Sequence, residues 1–140
     1  MALEPWFKIV NPRKEVREGR SFDPGKFAIA LERVVAGTAP DDYKNPEKFL
    51  ARTSFTKALR EHVGLVLRRL SGQTTTSAPV LTLITQFGGG KTHTLTLLYH
   101  LANDPKLGKH TDVAALLAET GVQTLPKTKV ARDVTLRPHP

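Results

Sequence analysis

The sequence predicts an α/β fold, an incomplete P-loop nucleoside triphosphatase core of parallel strands preceded by a helical N-terminal region. Three consecutive segments lead to this prediction. Residues 78–84 are apolar and rich in β-branched side chains, which is typical of a buried parallel strand. Residues 85–92 contain three glycines followed by a lysine and a threonine, and Lys91–Asn103 then has leucines at helical spacing. A strand, a glycine-rich turn and a helix in this order form the usual context of a phosphate-binding loop.

The glycine-rich run gives each of its positions a role in binding a nucleotide. Glycines let the backbone turn its N–H groups towards a β-phosphate. Lys91 is expected to reach the β- and γ-phosphates and is the predicted catalytic residue, while the Thr92 hydroxyl is the predicted ligand of Mg²⁺. The positive end of the following helix points at the same anion. We therefore predict ATP and Mg²⁺ as cofactors. The predicted cofactor-binding residues are Gln86, Phe87, Gly88, Gly89, Gly90, Lys91, Thr92 and His93.

The loop departs from the consensus at one position. The consensus places a glycine six positions before the lysine, where this chain has Thr85. Thr85 can serve as the last strand residue, since the three glycines after it supply the flexibility. The alternative is a glycine-rich connection that only packs closely, but such a connection needs neither Lys91 nor Thr92.

The chain divides into three predicted parts. Residues 1–77 form an N-terminal arm and a helical cap, and residues 78–130 form the P-loop strand-helix-strand unit with a second strand over Leu125–Val130. Residues 131–140 are expected to be disordered or aberrant, because Arg132 and Asp133 interrupt the apolar run.

Local signals fix the predicted helices of the cap and of the region after the loop. Asp-Pro and Asn-Pro pairs are helix starts, and a glycine after an apolar run is a helix end. Residues 1–22 are predicted as an extended arm and Asp41–Asn45 as a polar link. The predicted helices lie between Asp23 and Gly37, from Asn45 to Leu50, from Thr53 or Ser54 to Leu70, and from Thr111 to Ala118.

Catalytic turnover requires more than a phosphate-binding loop. A P-loop ATPase also needs a strand that ends in Asp or Asp-Glu to organise Mg²⁺ and the attacking water. No apolar run here ends in Asp-Glu, and Asp133 is a weak substitute. We therefore expect ATP to bind with slow or undetectable hydrolysis. We also expect the chain to be the front end of a larger ATPase, truncated or frame-disrupted, and marginally stable alone.

Composition restricts the partners. A net charge of +8, from 21 Lys and Arg against 13 Asp and Glu, favours anionic partners. No stretch approaches the roughly 20 apolar residues of a membrane span, and the N-terminus does not resemble a secretory signal. Cysteine is absent, which excludes disulfides and thiolate metal sites. The expected location is the cytoplasm, without membrane contact.

Several segments together resemble the N-terminal region of large prokaryotic AAA+-like P-loop ATPases found in anti-phage defence neighbourhoods beside DNA methyltransferases. The resemblance covers residues 1–130, and its specific part is the run Gln86–His93. It implies nucleotide contact by Gly88–His93, with the helical region before Val80 beside the adenine. It also implies DNA or a methyltransferase system as a partner through domains that this chain lacks, and it allows a homo-oligomer of the full-length protein. The segments that carry the resemblance are Pro5–Lys8, Asn45–Phe49, Arg52–Leu59 and Thr85–His93.

Two functional interpretations follow. The first is an ATP-binding segment of an ATPase that drives a DNA- or defence-related machine. The alternative is a basic interaction module for nucleic acid or a protein partner, with a vestigial P-loop. His93 is expected either to touch the phosphate or base or, the favoured alternative, to face solvent or pack on the sheet. His62 and His100 lack the spacing of metal ligands.

Overall fold

The computed structural model describes residues 5–12, 14–21, 29–75, 80–84 and 90–128. These residues form eight α-helices and one 3₁₀ helix. The helices are α1 (Trp6–Ile9), α2 (Lys14–Arg17), α3 (Leu31–Val35), α4 (Asp41–Lys44), α5 (Pro46–Ala51), α6 (Lys57–Leu70), α7 (Lys91–Asn103), the 3₁₀ helix (Pro105–Lys109) and α8 (Thr111–Thr120).

Several helix boundaries are those that the sequence predicts. The Asn45 side chain accepts hydrogen bonds from the backbone N–H groups of Glu47 at 3.0 Å and Lys48 at 3.2 Å, and so caps α5. Helix α8 ends at Gly121, whose φ of 70° lies in the left-handed region that favours glycine. Helix α7 covers Lys91–Asn103 as predicted.

Other boundaries differ from the prediction. The link Asp41–Asn45 is largely helical, since it contains α4, and ion pairs of Lys48 with Asp41 and of Arg52 with Asp42 join α4 to α5. The predicted extended arm contains α1 and α2.

The start of α6 also differs, because the side chains predicted to cap it are not the ones that do. The cap is Thr56, whose hydroxyl accepts from the N–H of Leu59 at 3.3 Å. The hydroxyl of Thr53 instead donates to the Phe49 carbonyl at 2.8 Å, so Thr53 belongs to the end of α5.

The predicted α/β fold with parallel strands is wrong for the described part of the chain, which is helical and contains no strand or sheet. Val80–Ile84 has no regular structure, and Val80 and Ile84 are 74% and 89% exposed. A strand is stable only when its backbone groups pair with another strand and its side chains pack on a neighbouring layer. Residues 125–128 of the predicted second strand supply no such partner, since Leu125 is buried in the helical core beside the 3₁₀ helix. Residues 78–79 and 129–140, including the predicted tail, lie outside the described residues.

One large apolar core joins the longer helices. Helix α7 packs against α3, α5, α6 and the 3₁₀ helix, and α8 packs against α6 and the 3₁₀ helix. A smaller cluster of Ile29, Val34 and Ala39 packs beside Tyr99 of α7. No helix in the described ranges is long and apolar enough to cross a membrane. The buried residues of the large core are Phe49, Leu50, Leu59, Val63, Leu67, Leu97, Leu101, Leu107, Val113, Leu116, Leu117, Val122 and Leu125.

Candidate functional site: a cleft at the start of helix α7

The second half of the glycine-rich run lies at the start of α7. Gly90 precedes the helix with φ 78° and ψ 12°, a left-handed conformation that strains any residue with a Cβ. Lys91 is the first helical residue, followed by Thr92 and His93 in the first turn. The other predicted contacts, Gln86–Gly89, lie outside the described residues.

The first turn of α7 directs backbone donors away from the helix. The earliest intrahelical bond runs from the N–H of Thr94 to the Gly90 carbonyl at 2.9 Å, and the Thr94 hydroxyl donates to the same carbonyl at 3.0 Å. The amides of Thr92 and His93 precede this bond, so they have no acceptor within the helix. This end of α7 can therefore donate hydrogen bonds to an anion.

The charge at this helix end is the reverse of what stabilises a helix. Acidic residues are favoured in the first turn because they offset the positive end of the dipole. The first turn of α7 contains no acidic residue and begins with Lys91. The first turn of α6 likewise has no acid and begins with Lys57. The first turns of these two helices therefore supply no acid that offsets the positive end of the dipole.

A cleft of about 370 Å³ opens between the starts of α6 and α7. Its volume is at the lower end of the range for small-molecule sites. Its apolar lining residues are Ala58, Leu59 and Leu83, and Gly90, Lys91, His93 and Thr94 line it at the start of α7. The lining residues are Ser54, Thr56, Ala58, Leu59, His62, Leu83, Gly90, Lys91, His93 and Thr94.

His93 lies between this cleft and the core. Its ring packs on Phe49 with centroids 4.5 Å apart, and its Nε2 lies 3.0 Å from the Thr53 hydroxyl oxygen. Burial lowers the pKa of His93, so the neutral ring is favoured. The ring therefore packs on a helix and not on a sheet, and the same ring also lines the cleft.

His100 lies two turns further along α7 and has no access to the cleft. It is buried, and its Nε2 lies 2.7 Å from the Tyr43 carbonyl, to which it must donate because a carbonyl only accepts. Burial lowers the pKa of His100, although the Tyr43 carbonyl and the charge of Asp104 oppose that shift.

These two histidines predict a pH dependence of folding stability. Each folded-state pKa lies below the unfolded value of about 6.5. The unfolded chain then binds more protons, so the stability is complete above pH 6.5 and is lost as the pH falls through and below that value. We expect the urea midpoint to be level from pH 8 to 7 and to fall between pH 6.5 and 5. In His93→Phe, which keeps the ring on Phe49, the fall should be smaller. A midpoint that is unchanged down to pH 5 would contradict the prediction.

The predicted metal ligand has little support from its surroundings. Thr92 is exposed in the first turn of α7. Across the described ranges no group of three or more histidine or acidic side chains could hold a metal ion. Asp133, the weak candidate for organising Mg²⁺, lies outside those ranges. Any Mg²⁺ held at Thr92 would take its other ligands from the phosphates of the nucleotide and from water.

A larger groove of about 650 Å³ lies between α6 and α8, away from the glycine-rich run. Its cations already have partners. Arg60 donates to Glu119 at 2.8 Å, Arg68 donates to the Thr120 carbonyl at 3.2 Å, and Lys57 lies 4.0 Å from Glu61 as expected for an exposed surface pair. We place the candidate site in the smaller cleft, because Gly90, Lys91 and His93 of the glycine-rich run line it.

Sequence reasoning named no individual cleft residue of the helical cap. Thr56 and His62 line the cleft together with Lys91, and Thr53 contacts His93; all three reach α7 only through tertiary packing. Thr53 and His93 are 40 residues apart, and no local pattern connects them.

Comparison with known proteins places the chain in a family. No curated protein and no solved structure is significantly similar to it. The family model described as the DUF499 N-terminal domain matches residues 6–135, which is nearly the full length of the 140 residues. The match includes both the helical cap and the glycine-rich run. The chain therefore belongs to the DUF499 N-terminal domain family.

Proposed function

We propose that this chain binds a nucleoside triphosphate, ATP with Mg²⁺, at the start of α7. The observation that carries the proposal is the electrostatics of that helix end. Gly90 leads directly into α7, which begins with Lys91 and has no acid in its first turn. The N-terminal end of α7 lines the cleft. Such an arrangement costs helix stability and favours a bound anion.

The two sides of the cleft fit the two parts of a nucleotide. Phosphates match the donors of the first turn of α7 and the Lys91 ammonium. Ala58, Leu59 and Leu83 offer an apolar surface on which a base can lie, and Ser54 and Thr56 offer hydroxyls near it. This division agrees with the expectation that the helical cap packs beside the adenine.

Mg²⁺, when bound with the nucleotide, would supply positive charge that neutralises part of the charge of the phosphates. On this chain Thr92 would hold it, and Lys91 would contact the phosphates. No carboxylate lines the cleft in the described part of the chain, so we expect binding with little hydrolysis. From the resemblance of its segments to AAA+-like ATPases, we further propose that the parent ATPase drives a DNA- or defence-related machine.

The test of the proposed function is the loss of binding when Lys91 is removed. We expect Lys91→Ala to weaken the binding of a fluorescent ATP analogue, measured with Mg²⁺ by anisotropy, by about tenfold or more. A hydrogen bond to a charged group contributes about 1.5–3 kcal/mol, which corresponds to that factor.

Lys109→Ala is the matched control, because it also removes an exposed lysine but on the 3₁₀ helix, outside the cleft. It should bind like the wild type. Equal binding by all three proteins would overturn the proposal. If the wild type binds labelled DNA but no nucleotide, the net charge of +8 would instead favour the basic interaction module.

A further inference from the structure

The hydrogen bonds around Thr53 determine which nitrogen of His93 carries the proton. A threonine hydroxyl has one hydrogen, and Thr53 donates it to the Phe49 carbonyl at 2.8 Å, a group that can only accept. The hydroxyl oxygen must therefore accept in its 3.0 Å contact with Nε2 of His93. Hence Nε2 carries a hydrogen, and in the neutral ring Nδ1 is an acceptor with no hydrogen.

The surroundings hold the ring in this state. Thr53 is buried, so the Nε2 side of His93 faces the protein interior. The ring also packs on Phe49, which is itself fully buried. Within the described ranges Thr53 is the hydrogen-bond partner of the imidazole, and His93 lines the cleft. The polar atom that the ring can still offer is thus Nδ1.

We infer that His93 determines ligand specificity in the cleft by accepting, at Nδ1, a hydrogen bond from a donor group of the nucleoside. The inference rests on the proposed function, since it assigns a contact within the same site. Phosphate oxygens do not suit Nδ1 because they are also acceptors. Ribose hydroxyls and the exocyclic amine of adenine are donors, so the phosphates lie with Lys91 and the donor of the nucleoside lies with His93.

Three analogues of ATP test this contact: 2′-deoxy-ATP and 3′-deoxy-ATP each lack one ribose hydroxyl, and inosine triphosphate has an acceptor carbonyl in place of the exocyclic amine. With wild type, we expect either 2′-deoxy-ATP, 3′-deoxy-ATP or inosine triphosphate to bind about fivefold to tenfold more weakly than ATP, the factor of one hydrogen bond. Weakening by a deoxy analogue identifies a ribose hydroxyl as the donor, and weakening by inosine triphosphate identifies the amine. In His93→Phe, which keeps the aromatic packing, ATP should bind no better than that analogue.

The two proposals fail in different ways. Lys91→Ala should weaken ATP and all three analogues by a similar factor, because it acts on the phosphates. Absence of nucleotide binding to the wild type would overturn the proposed function and this inference together. If ATP binds but His93→Phe retains the wild-type discrimination, only the inference about His93 is overturned.

The tautomer can be measured without any ligand. Two-bond ¹⁵N–¹H correlation spectra at pH 8 should show His93 with hydrogen on Nε2 and a bare Nδ1. Thr53→Val removes the acceptor and should reduce this preference. A wild-type spectrum with hydrogen on Nδ1 would overturn the inference even if every variant failed to fold.

Discussion

Replacing Phe49 with alanine is expected to destabilise the chain by about 3–5 kcal/mol, the usual cost of deleting a buried aromatic side chain. Phe49 is 1% exposed and belongs to the large core. Its ring also packs against Tyr43, His93 and His100. The loss would be a large part of the roughly 5–15 kcal/mol that stabilises a typical domain, so the urea midpoint of Phe49→Ala should fall far below that of the wild type.

Urea unfolding followed by far-ultraviolet circular dichroism measures this effect. Phe55→Ala is the matched control, since Phe55 is only partly buried and lies at the margin of the core. The guanidinium carbon of Arg60 lies 5.7 Å from the centroid of the Phe55 ring, a cation–π contact that contributes on the order of 1 kcal/mol. We expect Phe55→Ala to cost clearly less than Phe49→Ala. Equal losses in the two variants would show that Phe49 is not central to the core.

Phe49 also connects the core to the candidate site. Its carbonyl accepts from Thr53 and its ring supports His93, so it holds both members of the Thr53–His93 contact. The milder variant Phe49→Leu should keep the fold but increase the exposure of His93. The pKa of His93 should then move up towards its usual value of about 6.5, because burial is what lowers it.

The helix ends that could be predicted are those determined by a few neighbouring residues. Asn45 caps α5 through amides two and three positions ahead, and Gly121 ends α8 through its own backbone. The start of α6 could not be located in this way, since several hydroxyl residues are adjacent there. The Thr53 hydroxyl donates a hydrogen bond to the Phe49 carbonyl, and the Thr56 hydroxyl caps α6 by accepting from the N–H of Leu59.

The sheet could not be judged from local sequence for a different reason. A β-branched apolar run predicts a strand only if a partner strand exists, and pairing depends on residues far away in the chain. Here Leu125, in the predicted partner, is buried against the helices, and Val80 and Ile84 remain exposed. Burial in the helical core therefore competed with strand pairing and prevailed.

The candidate site also combines features set by neighbouring residues with features set by tertiary contacts. The glycine before the helix, Lys91 and the helix dipole all belong to one contiguous segment, so sequence alone predicted their arrangement. The opposite side of the cleft comes from α6 and the residues before it, and the state of His93 depends on Thr53. Such contacts are consequences of the core, which a single sequence does not display.

A close contact between α6 and α8 makes Gly64→Ala the second substitution with a large expected effect on stability. Gly64 lies in the middle of α6, where alanine would ordinarily stabilise the helix by about 1 kcal/mol. A Cβ at this position would lie 2.8 Å from Cγ2 of Thr120, closer than real side chains pack. Thr120 cannot rotate away cheaply, because its buried hydroxyl bonds to the carbonyls of Leu116 and Leu117 at 2.9 Å each. We expect Gly64→Ala to destabilise the chain by about 1–2 kcal/mol after the helix gain is subtracted.

A double-mutant cycle separates this clash from other effects of the substitution. Thr120→Ser keeps the hydroxyl and its bonds but deletes the methyl group that a Cβ would meet. In that background Gly64→Ala should stabilise the chain by about 0.5–1 kcal/mol, so the sign of the same substitution reverses. The coupling measured by urea unfolding should then be about 2 kcal/mol. If Gly64→Ala costs the same with serine at position 120, the cause lies elsewhere in α6 and the close contact with α8 does not explain the glycine.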